Sequence, residues 1–271
     1  LARRLLHWPH PATAQRRVHP LRGWQRLHAL GLPLALLVLW QLASQYGWVD
    51  ANILVSPLAV LETTKNGLLD GTLISGMALS LGRTLGGLLL GGGLGFALGL
   101  LLGLSRTSER LLGPTLAAIR QIAIFAWVPL LTAWFGLGEL AKWVFVALAA
   151  FFPLFIATQR SVANLSPQLN EAAQVLRLSL GQRLRRLVLP GAAPGIFAGL
   201  RLSLIYAWLG TIGAEYFMPS NGGIGSQMIG AQQLLRMDLI MAGMLFVGLT
   251  GALLNLIGQR LEIRATRWRH A

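Results

Sequence analysis

The side chains that most often carry catalysis or bind metals are sparse in this sequence and badly placed for a buried site. All five His lie near the two ends of the chain, and Cys does not occur. A buried metal site or a Ser-His protease within a membrane therefore lacks its parts. The two Lys residues, Lys65 and Lys142, do not follow Gly, which excludes the phosphate-binding loop G-x-x-x-x-G-K-[ST]. The sequence thus predicts no metal, no cofactor and no ATP hydrolysis by that loop, so any solute transport would draw its energy from elsewhere.

Two charged residues, Arg83 and Glu215, stand out because they lie within or beside long apolar segments. Ionisable side chains are costly inside a membrane and often mark a translocation path. We expect Arg83 to lie near a membrane boundary, where its side chain snorkels, with Asp70 or Ser80 as a partner. Glu215 is a candidate gate residue or docking contact, and the plainer interpretation is a structural carboxylate with satisfied hydrogen bonds. Both residues are therefore candidates for a translocation path or gate.

A third group of residues forms a polar, basic segment between two apolar ones, NEAAQVLRLSLGQRLRRLVLPGAAPG from Asn170. Its first part, from Glu171 to Leu178, is compatible with a helix that Gly181 interrupts. A second short helix with three Arg then ends at Pro190. The pattern predicts a surface elbow of two helices. A segment lying in the membrane interface, held by anionic lipid head groups, would explain the same pattern.

The elements that must position these residues follow from the composition. Of 271 residues, 54% are hydrophobic and 12% are charged, and the mean hydropathy is +0.60. A soluble domain carries about 25% charged residues. This chain cannot cover a core with a charged surface, which excludes an ordinary soluble enzyme, a disordered chain and a disulfide scaffold. The remaining class is an all-α polytopic membrane protein.

Six stretches are long and uncharged enough to cross a bilayer core of about 30 Å, which needs roughly 20 apolar residues in a helix. They are predicted near 28–48, 83–106 with an extension over 71–82, 113–139, 142–160, 194–214 and 238–260. Within the second stretch, a Gly recurs every four residues from Gly91 to Gly103. This stripe predicts close helix packing within the subunit, with a dimer interface or a path lining as alternatives.

The net charge of +14 fits either nucleic-acid binding or membrane orientation. With both termini in the cytoplasm, 19 of the 23 Lys and Arg fall on the cytoplasmic side of six spans, while Lys142 falls outside. The sequence has no basic motif typical of nucleic-acid binding. The charge therefore predicts orientation, with membrane lipid and not nucleic acid as the partner.

The charge and the spans together predict the organisation of the chain. Residues 1–27 form a basic cytoplasmic tail that is expected to be disordered, 28–260 form the transmembrane domain with the elbow at 161–194, and 261–271 form a basic cytoplasmic tail. A cleaved signal peptide with its apolar region at 29–42 is the alternative for the first segment. The apolar run is long enough to span the membrane, which favours a retained helix.

The elbow resembles the EAA loop of ABC importer permeases, whose pattern is E-A-A, a Gly six residues after the Glu, and then I-x-L-P. Glu171-Ala172-Ala173 and Leu187-Val188-Leu189-Pro190 stand at the expected separation. The position of the expected Gly is occupied by Arg177, and Gly181 follows four residues later. The turn of the elbow is therefore either altered at Arg177 or moved to Gly181.

Further short motifs occur in family order over about 30–265, and together they resemble the permease subunits for nitrate, sulfonate, taurine and bicarbonate. They are V-S-P at 55–57, S-L-G-R at 80–83, G-L-S-R at 103–106, V-P-L-L at 128–131, W-F-G at 134–136, A-F-F-P at 150–153, and Glu215 followed by Gly223-Ile224-Gly225. The N-terminal tail lies outside this resemblance.

The resemblance implies six transmembrane helices in the type I ABC importer (MetI-like) permease architecture, in the inner (plasma) membrane of a bacterium. It implies a second permease copy, most simply as a homodimer, two ATPase subunits that bind the ATP, and an extracytoplasmic substrate-binding protein. The substrate would be a small anion, an aliphatic sulfonate or taurine first, with nitrate, bicarbonate or another small solute as alternatives. The implied ATPase-coupling residues are Glu171 as a polar contact, Ala172 and Ala173 for close docking, Arg177 and Gly181 at the turn, and Leu189 and Pro190 at the exit of the elbow.

Two other classes remain as rivals to this interpretation. A secondary transporter would need an ionisable pair or ion site within its spans, and the spans offer few such residues. A membrane-embedded enzyme would need a catalytic constellation, which the distribution of His and Cys does not supply. The sequence therefore predicts a transport subunit that is not an enzyme.

Overall fold

The computed structural model describes residues 23–48, 54–166, 168, 171, 175–219 and 222–266. Across these residues the regular structure is helical, which confirms the all-α prediction. The predicted tail residues 1–22 and 267–271 lie outside the described part. The helices are α1 (Gly23–Gln45), α2 (Pro57–Leu69), α3 (Thr72–Gly87), α4 (Gly93–Leu104), α5 (Arg106–Gln121), α6 (Val128–Phe135), α7 (Glu139–Ala163), α8 (Leu180–Arg183), α9 (Leu189–Phe217), α10 (Ile224–Gln233) and α11 (Met237–Ala265).

Four helical stretches are long and apolar enough to cross a membrane in the described part of the chain. They are Thr72–Leu104, Glu139–Ala163, Gly181–Phe217 and Met237–Ala265. A π-turn at Leu88–Gly92 joins α3 to α4 within the first, and another at Leu184–Val188 joins α8 to α9 within the third. Helix α1 contributes a shorter apolar helix, Gly31–Gln45. The count of six spans stays a prediction, because length and hydropathy support four, or five with a bent pair of helices.

The bent pair replaces the third predicted span. Helix α5 and the helical segment 124–135 meet at 93°, because Ile122 and Ala123 are extended and a 3₁₀-turn precedes α6. Pro129 lies in the first turn of α6. Proline is tolerated there because an N–H at that position would have no acceptor within the helix. The absence of charge between Arg120 and Glu139 predicts one span, whereas the helical backbone is interrupted at Ile122 and Ala123.

Helix α7 is the central element of the bundle and packs against α3, α4, α6 and α9. Its side chains Ala141, Phe145, Val146 and Ala150 are fully buried. The end that carries Leu104, Ala163 and Leu189 is the elbow end, and the end that carries Arg83, Glu139 and Phe217 is the cluster end.

The glycine stripe that begins in the π-turn at Leu88–Gly92 and continues along α4 packs against the backbone of α7. A Cβ added at Gly91, Gly95 or Gly99 would lie 1.8 Å from the oxygen of Ala147, 2.5 Å from that of Phe151 and 2.6 Å from that of Phe155, respectively. The contacting residues are four apart on both helices and their numbers rise in the same direction, so the two helices run parallel and each turn of one packs on a turn of the other. This contact confirms the prediction of close packing within the subunit.

The segment after α9 turns back into the bundle. Gly222 and Gly223 have φ of +84° and +97°, a region that L side chains rarely adopt. Helix α10 follows, and α11 begins at Met237. Between them Arg236 donates to Asp238 at 2.7 Å, and this bond raises the pKa of the Arg236 guanidinium above its ordinary value.

Candidate functional site

The elbow between α7 and α9 is the first candidate site, and the structure describes part of it. Glu171 is helical and exposed, whereas Ala172 and Ala173 lie outside the described residues. Val175 and Leu176 are 82% and 69% exposed. Exposed apolar side chains beside an exposed carboxylate are typical of a surface that a partner covers.

The turn of the elbow lies at Arg177. This residue has φ of +48°, in the left-handed region that favours Gly. Gly181 lies within α8, so the prediction that Gly181 interrupts the helix is wrong. Arg177 therefore adopts the turn at the position where the resemblance expects Gly, and the turn has not moved.

Helix α8 begins after Arg177 because Ser179 and Gln182 form a capping box. The Ser179 N–H donates to Gln182 Oε1 at 3.1 Å, and the Gln182 N–H donates to Ser179 Oγ at 3.4 Å. These two bonds satisfy N–H groups that have no partner within the first turn of a helix. The S-x-x-Q spacing at 179–182 is the sequence signal that locates this start.

The second half of the elbow continues without a break into α9. The Leu189 N–H donates to the oxygen of Leu184, five residues earlier, so a π-turn accommodates the proline ring that would otherwise clash with the preceding turn. The prediction that Pro190 ends the helix is wrong, and the predicted start of the span near Pro194 is too late. Leu189 is half-buried and Pro190 is exposed in one continuous helix.

Apolar packing fixes this second half to the bundle. Val188 is 1% exposed and packs with Val162 of α7 and Ala192 of α9, with Leu184 and Leu187 at the edge of the cluster. A force applied to the elbow therefore reaches α7 and α9 through packed side chains.

Replacing Arg177 with Gly should tighten the elbow. Gly adopts φ of +48° without the steric penalty of an L side chain, which is about 1 kcal/mol. Hydrogen exchange of the amides from 176 to 180 should slow by about five-fold. Arg185→Gly is the matched control, because Arg185 lies in the π-turn without positive φ, and there Gly should speed exchange. Unchanged or faster exchange in Arg177→Gly would contradict a strained turn.

The second candidate site is a buried cluster of charges at the cluster end. The Arg83 guanidinium donates from Nε and Nη2 to the two Glu139 carboxylate oxygens at 2.8 and 2.6 Å. Its Nη1 donates to Glu215 Oε1 at 2.6 Å and to the oxygen of Gly222 at 3.2 Å. Lys142 Nζ lies 4.0 Å from Glu139 Oε1. The cluster thus joins α3, α7, α9 and the turn before α10.

Burial distinguishes this cluster from a surface ion pair. Arg83 is 2% exposed and Glu215 is fully buried. Glu215 also accepts hydrogen bonds from Ser80 Oγ at 2.8 Å and from the Gly225 N–H at 2.9 Å. The plainer interpretation of Glu215, a carboxylate with satisfied hydrogen bonds, is therefore supported.

The predicted surroundings of Arg83 are wrong in two respects. Arg83 does not snorkel, and its ion-pair partners are Glu139 and Glu215, not Asp70 or Ser80. Ser80 instead bonds to Glu215. Lys142 of α7, which lies beside Glu139, is fully buried. The partners of Arg83 lie 56 and 132 residues away along the chain, a separation that no local pattern reveals.

Comparisons with known proteins agree with this architecture. The family model described as "Binding-protein-dependent transport system inner membrane component" matches residues 91–262. The putative aliphatic sulfonates transport permease protein SsuC of Escherichia coli (strain K12) is 37% identical over 253 residues, which cover 93% of this chain and 96% of that protein. Its namesake in Bacillus subtilis (strain 168) is 35% identical, with 92% and 89% covered.

A third relative differs in the substrate that its name gives. The taurine transport system permease protein TauC of Escherichia coli (strain K12) is 30% identical over 245 residues, which cover 89% of both chains. The matches thus extend over the helical bundle, the elbow and the residues of the buried cluster. This chain belongs to the family of binding-protein-dependent transport system inner membrane components, and it is a multi-pass membrane permease of the ABC importer class.

Proposed function

We propose that this chain is the permease subunit through which an ATP-driven importer moves an aliphatic sulfonate or taurine across the bacterial inner membrane. The observation that carries the proposal is the identity of 35–37% with two sulfonate permeases over more than nine-tenths of the chain. The taurine permease, whose substrate is also a sulfonate, supports the same chemistry. Nitrate and bicarbonate are the alternative substrates.

The elbow is the proposed contact with the ATPase. Two permease copies would each present Glu171 and the exposed Val175 and Leu176 to one of two ATPase subunits, which bind and hydrolyse the ATP. Ala172 and Ala173 would allow close docking, and the packed segment around Leu189 and Pro190 would pass the motion into α9. The elbow end and both termini are assigned to the cytoplasm, because Arg177, Arg183, Arg185 and Arg186 concentrate positive charge there.

Arg83 and Glu215 are proposed to close the path at the outer side. Two carboxylates engage the Arg83 guanidinium, so its charge is already compensated and is poorly suited to attract an anion. Their contact joins three helices and the turn at Gly222, where an extracytoplasmic binding protein would deliver substrate. These residues would hold the outer ends together and would not themselves bind the substrate.

The test uses the chain co-expressed with a candidate ATPase and binding protein and reconstituted in liposomes. Uptake of a labelled alkanesulfonate and ATP hydrolysis are measured for the natural chain and for Glu171→Ala. We expect co-purification of the ATPase and at least a ten-fold loss of uptake in Glu171→Ala, because the substitution removes a charged contact.

Glu62→Ala is the control, since Glu62 is an exposed carboxylate of α2, away from the elbow. It should leave association with the ATPase unchanged. Failure of every ATPase to bind, or full coupling in Glu171→Ala, would contradict the proposed role of the elbow. Uptake of nitrate or bicarbonate in preference to sulfonates would contradict the proposed substrate.

A further inference from the structure

A groove of about 740 Å³ opens between the bent pair of helices, α7 and α9. Its lining is mainly apolar and aromatic and includes Phe125, Trp127, Phe152 and Tyr206. Phe125 and Tyr206 are about half exposed, at 51% and 53%. The break between α5 and α6 creates this space, because it carries Phe125 across towards α9 and leaves a gap beside α7.

One face of α7 forms the long wall of the groove. Phe145, Phe152 and Arg160 line it together with the small and apolar residues between them, at spacings that place side chains on one face of a helix. From Phe145 to Arg160 this wall is about 22 Å long at 1.5 Å per residue. Arg160 therefore lies at the elbow end of the groove, far from the buried cluster that begins at Glu139.

The charged lining residues of the groove are both cationic. Among the residues that the structure describes, the lining carries Arg120 and Arg160 and no carboxylate. Both side chains are exposed, and neither forms an ion pair with a described Asp or Glu. Tyr206 and Trp127 add an O–H and an indole N–H, which are hydrogen-bond donors. The groove thus combines donors and positive charge with aromatic walls.

We propose that this groove binds an organic anion with an apolar tail, its sulfonate head against Arg120 and Arg160 and its tail along Phe152 and Tyr206. The inference rests on the proposed function and locates substrate recognition in the permease itself. Sulfonate oxygens accept charge-assisted hydrogen bonds from guanidinium groups, and aromatic walls remove the tail from water. Nitrate and bicarbonate have no tail and would leave those walls without a partner.

The test measures binding to the full chain in lipid nanodiscs by calorimetry. The probes are ethane-, butane- and hexane-1-sulfonate, inorganic sulfate as a head without a tail, and hexan-1-ol as a tail without a charge. Each added methylene should tighten sulfonate binding by up to about four-fold, the equivalent of roughly 0.8 kcal/mol. Sulfate and hexan-1-ol should each bind at least ten-fold more weakly than hexane-1-sulfonate.

The variants are Arg120→Gln and Arg160→Gln, with Arg110→Gln as the matched control. Arg110 is an exposed Arg on the same helix as Arg120, outside the groove lining. Each groove variant should weaken hexane-1-sulfonate binding by about ten-fold, Arg160→Lys should recover part of that loss, and Arg110→Gln should bind as the natural chain does. Phe152→Ala should weaken hexane-1-sulfonate more than ethane-1-sulfonate.

Several results would overturn the inference. They are no sulfonate binding by the natural chain, equal binding of hexan-1-ol, or unchanged binding in both groove variants. The uptake assay separates this inference from the proposed function. If uptake is coupled to ATP while the groove variants bind and transport normally, the groove assignment is wrong and the function stands. If hexane-1-sulfonate binds in an Arg-dependent way but no ATPase couples to the chain, the groove stands and the proposed function is wrong.

Discussion

Glu215→Gln is expected to destabilise the folded chain by roughly 3–5 kcal/mol, the range for removing one partner of a buried ion pair. Arg83 would keep its positive charge in a buried site and would retain only the half-exposed Glu139 as an ion-pair partner. One oxygen of the Glu215 carboxylate accepts from Arg83 Nη1 and the other accepts from the Gly225 N–H. In Gln, one of these oxygens becomes an NH₂ group, so a donor would face a donor. Thermal unfolding in detergent, followed by circular dichroism, should show a large drop in Tm.

Glu262→Gln is the matched control for this prediction. Glu262 pairs with Arg201 at 3.5 Å, and both side chains are about one-third exposed, so its removal should cost no more than about 1 kcal/mol. In the double variant Arg83→Leu with Glu215→Leu, the two changes should prove strongly non-additive, because the paired charges are removed together. A Tm for Glu215→Gln that matches the control would show that the buried cluster contributes little to stability.

Gly95→Ala is expected to separate α4 from α7 and to lower both the folded yield and the Tm. The added Cβ would lie 2.5 Å from the oxygen of Phe151 and 3.2 Å from the nitrogen of Phe155. Both are backbone atoms, which cannot rotate away, so the helices must move apart by about 1 Å. Overpacking of this kind costs about 1–3 kcal/mol and occasionally more.

Gly93→Ala gives the comparison on the same helix. A Cβ at Gly93 would have no neighbour within 4 Å, and Ala favours a helix over Gly by nearly 1 kcal/mol. The two variants carry the same substitution two residues apart on one helix, so intrinsic helix propensity largely cancels between them. A Gly95→Ala chain with the stability and uptake of Gly93→Ala would disprove the close backbone contact.

The parts of the fold that the sequence predicted are those controlled by local pattern. The length of the uncharged stretches predicts the long helices that contain Gly95, Phe145 and Trp208, because a helix that crosses a membrane needs roughly 20 apolar residues. The four-residue glycine spacing predicted close packing, since that spacing follows one helix face. The break at Ile122 and Ala123 has no such signal, because both residues are apolar and neither is a Gly or a Pro.

Of the candidate sites, the sequence pattern located the elbow but not the partners of Arg83. The separation of Glu171 from Pro190 located the elbow, but the position of its turn depended on whether Arg177 or Gly181 took positive φ. Propensity favours Gly at positive φ. The capping box of Ser179 and Gln182 starts the second helix at Leu180, so Gly181 is helical and Arg177 takes the turn. The partners of Arg83 depend on how distant helices pack, so they follow from the tertiary structure alone.

The helix from Gly181 to Phe217 has a mechanical consequence. Its 37 residues extend over about 56 Å, nearly twice the thickness of the hydrocarbon core, with the elbow at one end and Glu215 near the other. A stiff rod of this length that tilts by about 5° displaces its far end by about 5 Å. A nucleotide-driven tilt at the elbow would therefore be amplified at the opposite membrane face, without any relay of side-chain rearrangements between them.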